Sequence, residues 1–596
     1  MRALLTLKKY FYTYRKYIAL GILFIILSNV FAIVIPPIVR ESIDGIIMLL
    51  KENKQPTYMD SIPPFFRTTS KIALLAGLLI VASSLMKGIF MFFMRMTLIV
   101  MSRYVEFDLK NDIFRHYQKL GQSFYSKNYT GDLMNRISDD VSKVRAFVGP
   151  AIMYTLNLSL MIIMVVSLML YVNVKITLYV LLPLPILAVT IYLVSDSMNK
   201  QSDIIQRKLS KITSFVQETF SGVHVLKSYA AEKNFTGKFK DVNDEYMSDN
   251  MKLVKINGIF MPAVLGLVGM SILITLYVGG NEVVKGNFTV GNIVEYVIYV
   301  SMLTWPVASL GYVTSLVQRA AASQARINEF LNEPVEEHLG TVKIAKLKKG
   351  IQFKNVWFKY PNTEKYVLKD VSFEVAANKK LGIIGTTGSG KSTIAKLLMG
   401  VYEPTKGEIF IDDLPMQEYD QNSLKALFGY VAQDIFLFSD SIKNNVLFGS
   451  AKEGDEENLD RAIRSAEMQN EIDNFPKGLE TVLGERGITL SGGQKQRTAI
   501  ARALIKKPEI LLMDDALSAV DTKTEVAIKS NLNAWDENQT FINISHRVSS
   551  IQDANYIIFL DEGSIIEEGN HASLYPKNGI YTELYNKQML HTNEVS

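Results

Sequence analysis

Leu381-Gly382-Ile383-Ile384-Gly385-Thr386-Thr387-Gly388-Ser389-Gly390-Lys391-Ser392-Thr393 is the stretch on which the reading of this chain turns. Its first four residues read as a strand, the next six carry three glycines, and Ile394-Ala395-Lys396-Leu397-Leu398-Met399 continues with helical spacing. Strand, glycine-rich loop and helix in that order form a phosphate cradle. Glycines let main-chain N–H groups turn inward around phosphate oxygens, and the helix N-terminus adds its positive end. Lys391 then reaches the β/γ-phosphates of ATP, and the Ser392 hydroxyl is placed to ligate Mg²⁺. Gly385, Thr386, Thr387, Gly388, Ser389, Gly390, Lys391, Ser392 and Thr393 are the expected ATP-binding set.

Further along, Ile510-Leu511-Leu512-Met513 reads as a second apolar strand, ending in Asp514-Asp515. A carboxylate at such a strand end holds Mg²⁺, directly or through water, which assigns Asp514. The next residue, Asp515, falls near the γ-phosphate, where a general base for the attacking water is wanted. An acidic pair after an apolar strand is a weak signal alone and a strong one beside the phosphate loop. Ile351 to Phe358 alternates like a strand, Val371 to Val375 is a further candidate, and helical patterns follow. Residues 350–596 therefore read as an α/β domain, preceded by a linker over 326–349.

Upstream the character is different. The 596 residues average a mean hydropathy of +0.13 with 21% charged residues, too apolar for one soluble protein and too charged for a wholly embedded one. The apolar excess lies in residues 1–325, in six runs: about 17–39, 72–94, 147–172, 176–195, 256–280 and 296–317. Each has the roughly 20 residues a helix needs to cross a hydrocarbon core of about 30 Å. The first is too long for a signal-peptide core and lacks a small-residue cleavage site. Arg2, Lys8, Lys9, Arg15 and Lys16 precede it and place the N-terminus in the cytoplasm. Six crossings return the α/β domain to that side. The charged segments 103–146 and 197–254 are then cytoplasmic, with helix-like patterns that extend the spans. A net charge of +5 suits a face against anionic lipid and excludes a nucleic-acid binder. The absence of cysteine excludes disulfides and thiolate metal sites.

Leu490-Ser491-Gly492-Gly493-Gln494, behind the phosphate loop, resembles the signature motif of ATP-binding cassette (ABC) proteins. The resemblance is to the exporter branch and covers essentially the whole chain. It implies an N-terminal six-helix α-helical transmembrane domain of type I exporter form, and a C-terminal α/β P-loop nucleotide-binding domain. It further implies that the signature closes on ATP held by a second subunit, so a dimer is expected. Other positions match one by one. Tyr360 stands where the family stacks an aromatic on adenine, a packed strand aromatic being the plain alternative. Gln433 matches the residue that senses Mg²⁺ and the attacking water, His546 the switch histidine, and Asp521 the dimer-contact loop. Glu485, within Thr481–Gly487, matches the loop that couples to the membrane domain. Gly131–Val141 and Glu218–Lys227 resemble the cytoplasmic loops that meet the cassette.

The departure is Asp515, where most exporters carry glutamate. One methylene shorter, its carboxylate falls short of the water by roughly 1 Å, a misplacement that can cost about a hundredfold in rate. The resemblance offers two interpretations: a heterodimer whose partner supplies the glutamate, which is the favoured one, or a homodimer working through aspartate. ATP-driven export or flipping of an amphipathic drug-like, lipid or peptide-like substrate across the cytoplasmic membrane is expected. An exporter-shaped importer and a nucleotide-gated channel or regulatory subunit are the alternatives. Lys87 and Arg95 in the second span are expected toward the cytoplasmic leaflet, where they either snorkel to lipid headgroups or line an inner cavity and bind an anionic headgroup. Glu295 is expected at the outer interface of the sixth span, and Trp305-Pro306 as a possible kink within it.

Overall fold

The computed structural model of the chain describes residues 2–51, 69–335, 340–361, 363–450, 455–484, 487, 489–535 and 538–595. The chain divides into two compact units, Met1–Gln118 with Tyr129–Glu333 and Lys119–Asn128 with Pro334–Ser596.

Among the described residues, six helices of the first unit are long and apolar enough to cross a membrane: α1 (Arg15–Leu50), α2 (Ser70–Tyr117), α3 (Thr130–Val172), α4 (Val174–Ser221), α5 (Glu232–Val284) and α6 (Val290–Leu331). They run 36 to 53 residues. At 1.5 Å per residue that is roughly 55–80 Å, far more than a bilayer core of about 30 Å. The excess is the charged sequence flanking the apolar runs. Prolines mark most irregularities, because each lacks an N–H and crowds the preceding turn. Helix α1 breaks at Val34 ahead of Pro36-Pro37, α4 breaks at Leu182 ahead of Pro183, and α3 widens into a π turn around Pro150. By contrast α6 runs unbroken through Pro306, with Trp305 exposed beside it. It also continues over 326–331, the start of the expected linker, because Ile327 and Phe330 are fully buried.

Helix α2 shows the packing logic. Ile72, Ala76, Ser83, Met94, Leu98, Met101, Val105, Leu109 and Ile113 are buried, and from Met94 to Ile113 they recur every three or four residues. The opposite face carries exposed Leu78, Leu85 and Phe92, as a lipid-facing surface does and a water-facing one rarely does. Polar ties join α1 to α6. Arg40 pairs with Glu295 at 3.0 Å and with Glu41 at 2.7 Å, and Tyr299 donates to Glu295 at 3.0 Å. Glu295 is only 1% exposed, so it is a buried partner of Arg40 and not the interfacial group its place near a span end suggested. Asp44 accepts from the Thr289 hydroxyl and the Gly291 N–H, satisfying the first turn of α6. Near the other end of α6, Arg326 and Ser323 hold buried Asp140 of α3.

The second unit is built on two sheets. Strands β1 (Gly350–Phe358), β2 (Leu368–Ala376), β3 (Lys380–Gly385), β4 (Lys406–Ile411), β5 (Leu414–Pro415), β6 (Phe428–Val431), β7 (Ile510–Asp514), β8 (Thr540–Ile544), β9 (Tyr556–Asp561) and β10 (Ser564–Gly569) appear in that order. The four-stranded antiparallel sheet is ordered β2-β1-β4-β5 and the six-stranded sheet β10-β9-β3-β8-β7-β6. In the latter, β9, β3, β8, β7 and β6 are mutually parallel, and β10 closes one edge antiparallel. One core joins both sheets, with Phe353 stacked on Phe373 at 4.4 Å beside Leu381, Ile383 and Ile394. A second lies under β7 and β6, where Leu511, Met513 and Val431 meet Ile463, Ile472 and Ile500 of the flanking helices. Parallel strands covered on both faces explain the unbroken apolar run Ile510–Met513.

Candidate active site

The parallel register lines up the catalytic candidates. Ile383 of β3 pairs with Ile544 of β8, Ile544 with Asp514 of β7, and Met513 with Val431 of β6. Just beyond that row, at the carboxyl ends of adjacent strands, come Gly385, His546, Asp515 and Gln433. Open parallel sheets bind ligands at this edge, where successive loops diverge.

From β3 the chain enters the glycine loop and then α7 (Lys391–Leu398). Two glycines are compulsory. A side chain on Gly385 would lie 1.9 Å from the Leu560 carbonyl oxygen, and Gly390 adopts φ +100 with Leu368 and Val367 against it. Lys391 is buried, and its Nζ donates to the carbonyls of Gly385 at 2.9 Å and Thr386 at 2.7 Å. Burial pushes its pKa down to about 8, against the opposing pull of Asp515 and Asp514. Ser389 is 1% exposed and its hydroxyl has no partner among the described residues, an orphan that a phosphate oxygen would satisfy.

The Ser392 hydroxyl donates to the Asp514 carboxylate at 3.0 Å. Burial raises the Asp514 pKa, which a cation beside it would reverse. This oxygen pair suits Mg²⁺, which takes one or two protein oxygens beside substrate phosphates. Among the described residues no three His, Cys, Asp or Glu cluster into an all-protein metal cage.

Asp515 sits in the left-handed region at φ +50, a conformation aspartate tolerates better than most residues. Its N–H donates to the Ile544 carbonyl at 2.8 Å, which fixes it against the strand that leads into His546. The His546 pKa is lowered by burial first and by the nearby Lys391 charge second, with Asp515 opposing. Lys391, Asp515 and His546 thus lie close enough to feel one another's charge. Gln433 is exposed just past β6. Tyr360 is half-buried, its ring edge-on to Phe358 and Tyr402 and its hydroxyl 3.0 Å from that of Thr393 in α7.

The signature lies elsewhere on the cassette. Leu490 is buried against Leu437, Ile442 and Leu483, while Ser491 caps α8 (Gly492–Leu504). The Ser491 hydroxyl accepts from the Gln494 N–H, and the Gln494 side chain accepts from the Ser491 N–H, a reciprocal cap. No hydrogen bond among the described residues joins 490–494 to the phosphate loop. Asp521 caps α9 (Thr522–Trp535), accepting from the Thr524 N–H at 3.0 Å, and this bond lowers its pKa. Glu485 lies outside the described residues. Lys87 is half-buried, Arg95 is exposed, and neither forms an ion pair among the described residues. An apolar hollow of about 720 Å³ between α1, α2 and α3 is lined by Ile33, Pro37, Ala76, Met164 and neighbours, and by neither of those cations.

Three polar residues that sequence reasoning passed over also shape the site. Arg547 donates to Glu525 and to the Ser518 carbonyl, Gln496 bonds Ser518 and Ala519, and Gln588 bonds the main chain around His546. Each contact is long-range, so no local pattern announces it.

Comparison with known proteins agrees with this architecture. Residues 18–307 match the family model described as ABC transporter transmembrane region, and residues 368–518 the model described as ABC transporter. The chain is 36% identical over 489 residues to a Bacillus subtilis (strain 168) protein described as "Probable multidrug resistance ABC transporter ATP-binding/permease protein YheI", spanning 82% of this chain and 83% of that one. This chain belongs to the ABC transporter family. A second relative of the transporter is the ATP-dependent lipid A-core flippase of Photobacterium profundum, 33% identical across 81% of this chain and 83% of its own length. A solved bacterial Atm1-family ABC exporter with ATP bound superposes with a TM-score of 0.77 at 26% identity, covering 96% of this chain and 99% of that one. This ABC transporter is thus a membrane protein whose cassette binds ATP and couples its hydrolysis to transport.

Proposed function

We propose that the chain is one half of a dimeric exporter of the cytoplasmic membrane, with its N-terminus and cassette in the cytoplasm, moving an amphipathic or lipid-like molecule outward. One observation carries the dimer: the chain holds one phosphate loop and one signature, and no hydrogen bond among its described residues joins them. The signature instead presents the start of α8, where the N–H groups of Gly492 and Gly493 are left for an anion supplied by another cassette. ATP bound by the phosphate loop would be completed by the partner's signature, and this signature would complete the partner's site. Ser392, Asp514 and Gln433 would hold Mg²⁺, which neutralises charge on the transferred phosphoryl group. Lys391 would exchange its two loop carbonyls for phosphate oxygens, His546 would contact the γ-phosphate, and Asp515 would accept a proton from the attacking water.

The amphipathic substrate class is supported by the names of the relatives, a multidrug resistance protein and a lipid A-core flippase. The favoured mate is a different half bearing glutamate where this chain has Asp515. The test is steady-state ATP hydrolysis in lipid nanodiscs by the purified chain, alone and co-expressed with a glutamate-bearing half. We expect slow turnover alone and a rise of at least tenfold in the mixed pair. Rapid turnover by the lone chain, not increased by any such mate, would sink the heterodimer and leave the homodimer.

A further inference from the structure

The His546 imidazole makes no hydrogen bond among the described residues, so its aim depends on the main chain that carries it. That main chain is gripped from outside the strand edge. Gln588, in the helix Ile580–Val595, donates through Nε2 to the His546 carbonyl at 2.8 Å and accepts through Oε1 from the Val548 N–H at 2.8 Å. One carboxamide thereby closes a two-bond bracket around Arg547, as a neighbouring strand would. The helix that bears it is well anchored. Glu567 accepts from the N–H groups of Ile580 and Tyr581, and Tyr581 is fully buried with Leu574, Phe559, Val548 and Ile384. Ile384 is the strand residue that leads into the phosphate loop, so bracket and loop rest on one apolar cluster. Arg547 adds a second hold, donating to buried Glu525 at 3.0 Å and to the Ser518 carbonyl at 3.1 Å.

We propose that Gln588 is a positioning residue for ATP hydrolysis. By fixing the His546–Val548 main chain it sets where the imidazole points, and the C-terminal helix becomes part of the catalytic apparatus without touching nucleotide. This rests on the reading of His546 as the γ-phosphate contact. A displacement of about 1 Å at a reacting group can cost on the order of a hundredfold; loss of the bracket, with Arg547 still held, is expected to cost about tenfold.

The experiment uses the full chain in lipid nanodiscs, with radiolabelled phosphate release so that slow rates remain measurable. Gln588→Met keeps length and packing but removes both hydrogen bonds. Gln588→Glu keeps the bond from Val548 but sets a carboxylate against the His546 carbonyl. Both should lower kcat about tenfold, leave KM for ATP within twofold, and shift Tm by no more than about 2 °C. On a His546→Ala background, Gln588→Met should lower kcat no further. An unchanged kcat, a full tenfold loss on the His546→Ala background, or a change confined to KM and Tm would each overturn the proposal. If His546→Ala alone leaves kcat unchanged, the reading of His546 fails and the bracket's role falls with it.

Discussion

Lengthening one side chain, Asp515→Glu, separates reach from strain at the site. The residue holds φ +50, and left-handed backbone costs an ordinary L-residue about 1–2 kcal/mol, with aspartate among the more tolerant. Glutamate should therefore cost the folded cassette about 1 kcal/mol, or a Tm lower by roughly 2–4 °C for a domain of this size. That strain is common to the ground and transition states and does not enter kcat. The extra methylene extends the carboxylate by roughly 1 Å, a distance worth up to about a hundredfold at a reacting group, or about 2.7 kcal/mol of barrier. The lone chain should thus lose a little stability and gain ten- to a hundredfold in kcat. Phosphate release in nanodiscs and a thermal melt with and without ATP read the two effects separately. A kcat that stays level or falls in a variant that still folds and binds ATP would refute the view that reach limits this site.

Two other outcomes follow from buried charges. Lys391 is depressed to about 8 from an ordinary 10.5, so between about pH 8 and 10.5 the unfolded chain binds more protons and the nucleotide-free cassette gains stability as pH rises. Over the same rise its affinity for ATP should fall, because phosphate needs the protonated lysine; calorimetry in two buffers should show net proton uptake on ATP binding at pH 8.5 and little at pH 6.5. In the membrane unit, Arg40→Ala strands buried Glu295 and should cost about 3–5 kcal/mol, whereas Arg40→Leu with Glu295→Leu should recover most of it. Thermal melts of the two variants in nanodiscs compare them directly, and equal losses would contradict the pairing.

Local sequence points to the nucleotide elements because each is a short motif whose glycine or carboxylate requirement comes from the adjoining strand and helix. Gly385 and Gly390 could be named from spacing, and the structure supplies their steric reasons. The long helices were legible from apolar runs and from charged flanks without breakers. Glu295 was misread because a carboxylate near a span end ordinarily meets water, and its partner Arg40 lies 255 residues away. Gln496, Arg547 and Gln588 left no trace for the same reason: a glutamine or arginine becomes informative only when the distant group it reaches is known. The expected linker from 326 begins inside α6, which runs on to Leu331 because Ile327 and Phe330 are core residues that only the packing reveals.

The tie between Gln496 and the loop after β7 has a mechanical implication. The Asp515 carbonyl accepts from the Ser518 hydroxyl at 2.9 Å, and that hydroxyl accepts from Gln496 Nε2 at 3.1 Å. Gln496 also takes the Ala519 N–H at 3.0 Å, and it rides on the helix that opens with the signature. On the proposed reading of Asp515 as the water-activating carboxylate and of the signature as the contact to a partner's nucleotide, the backbone beside the one is geared to the helix that presents the other. In a mixed pair, a site that turns over slowly would act as an escapement, setting when its faster neighbour is released.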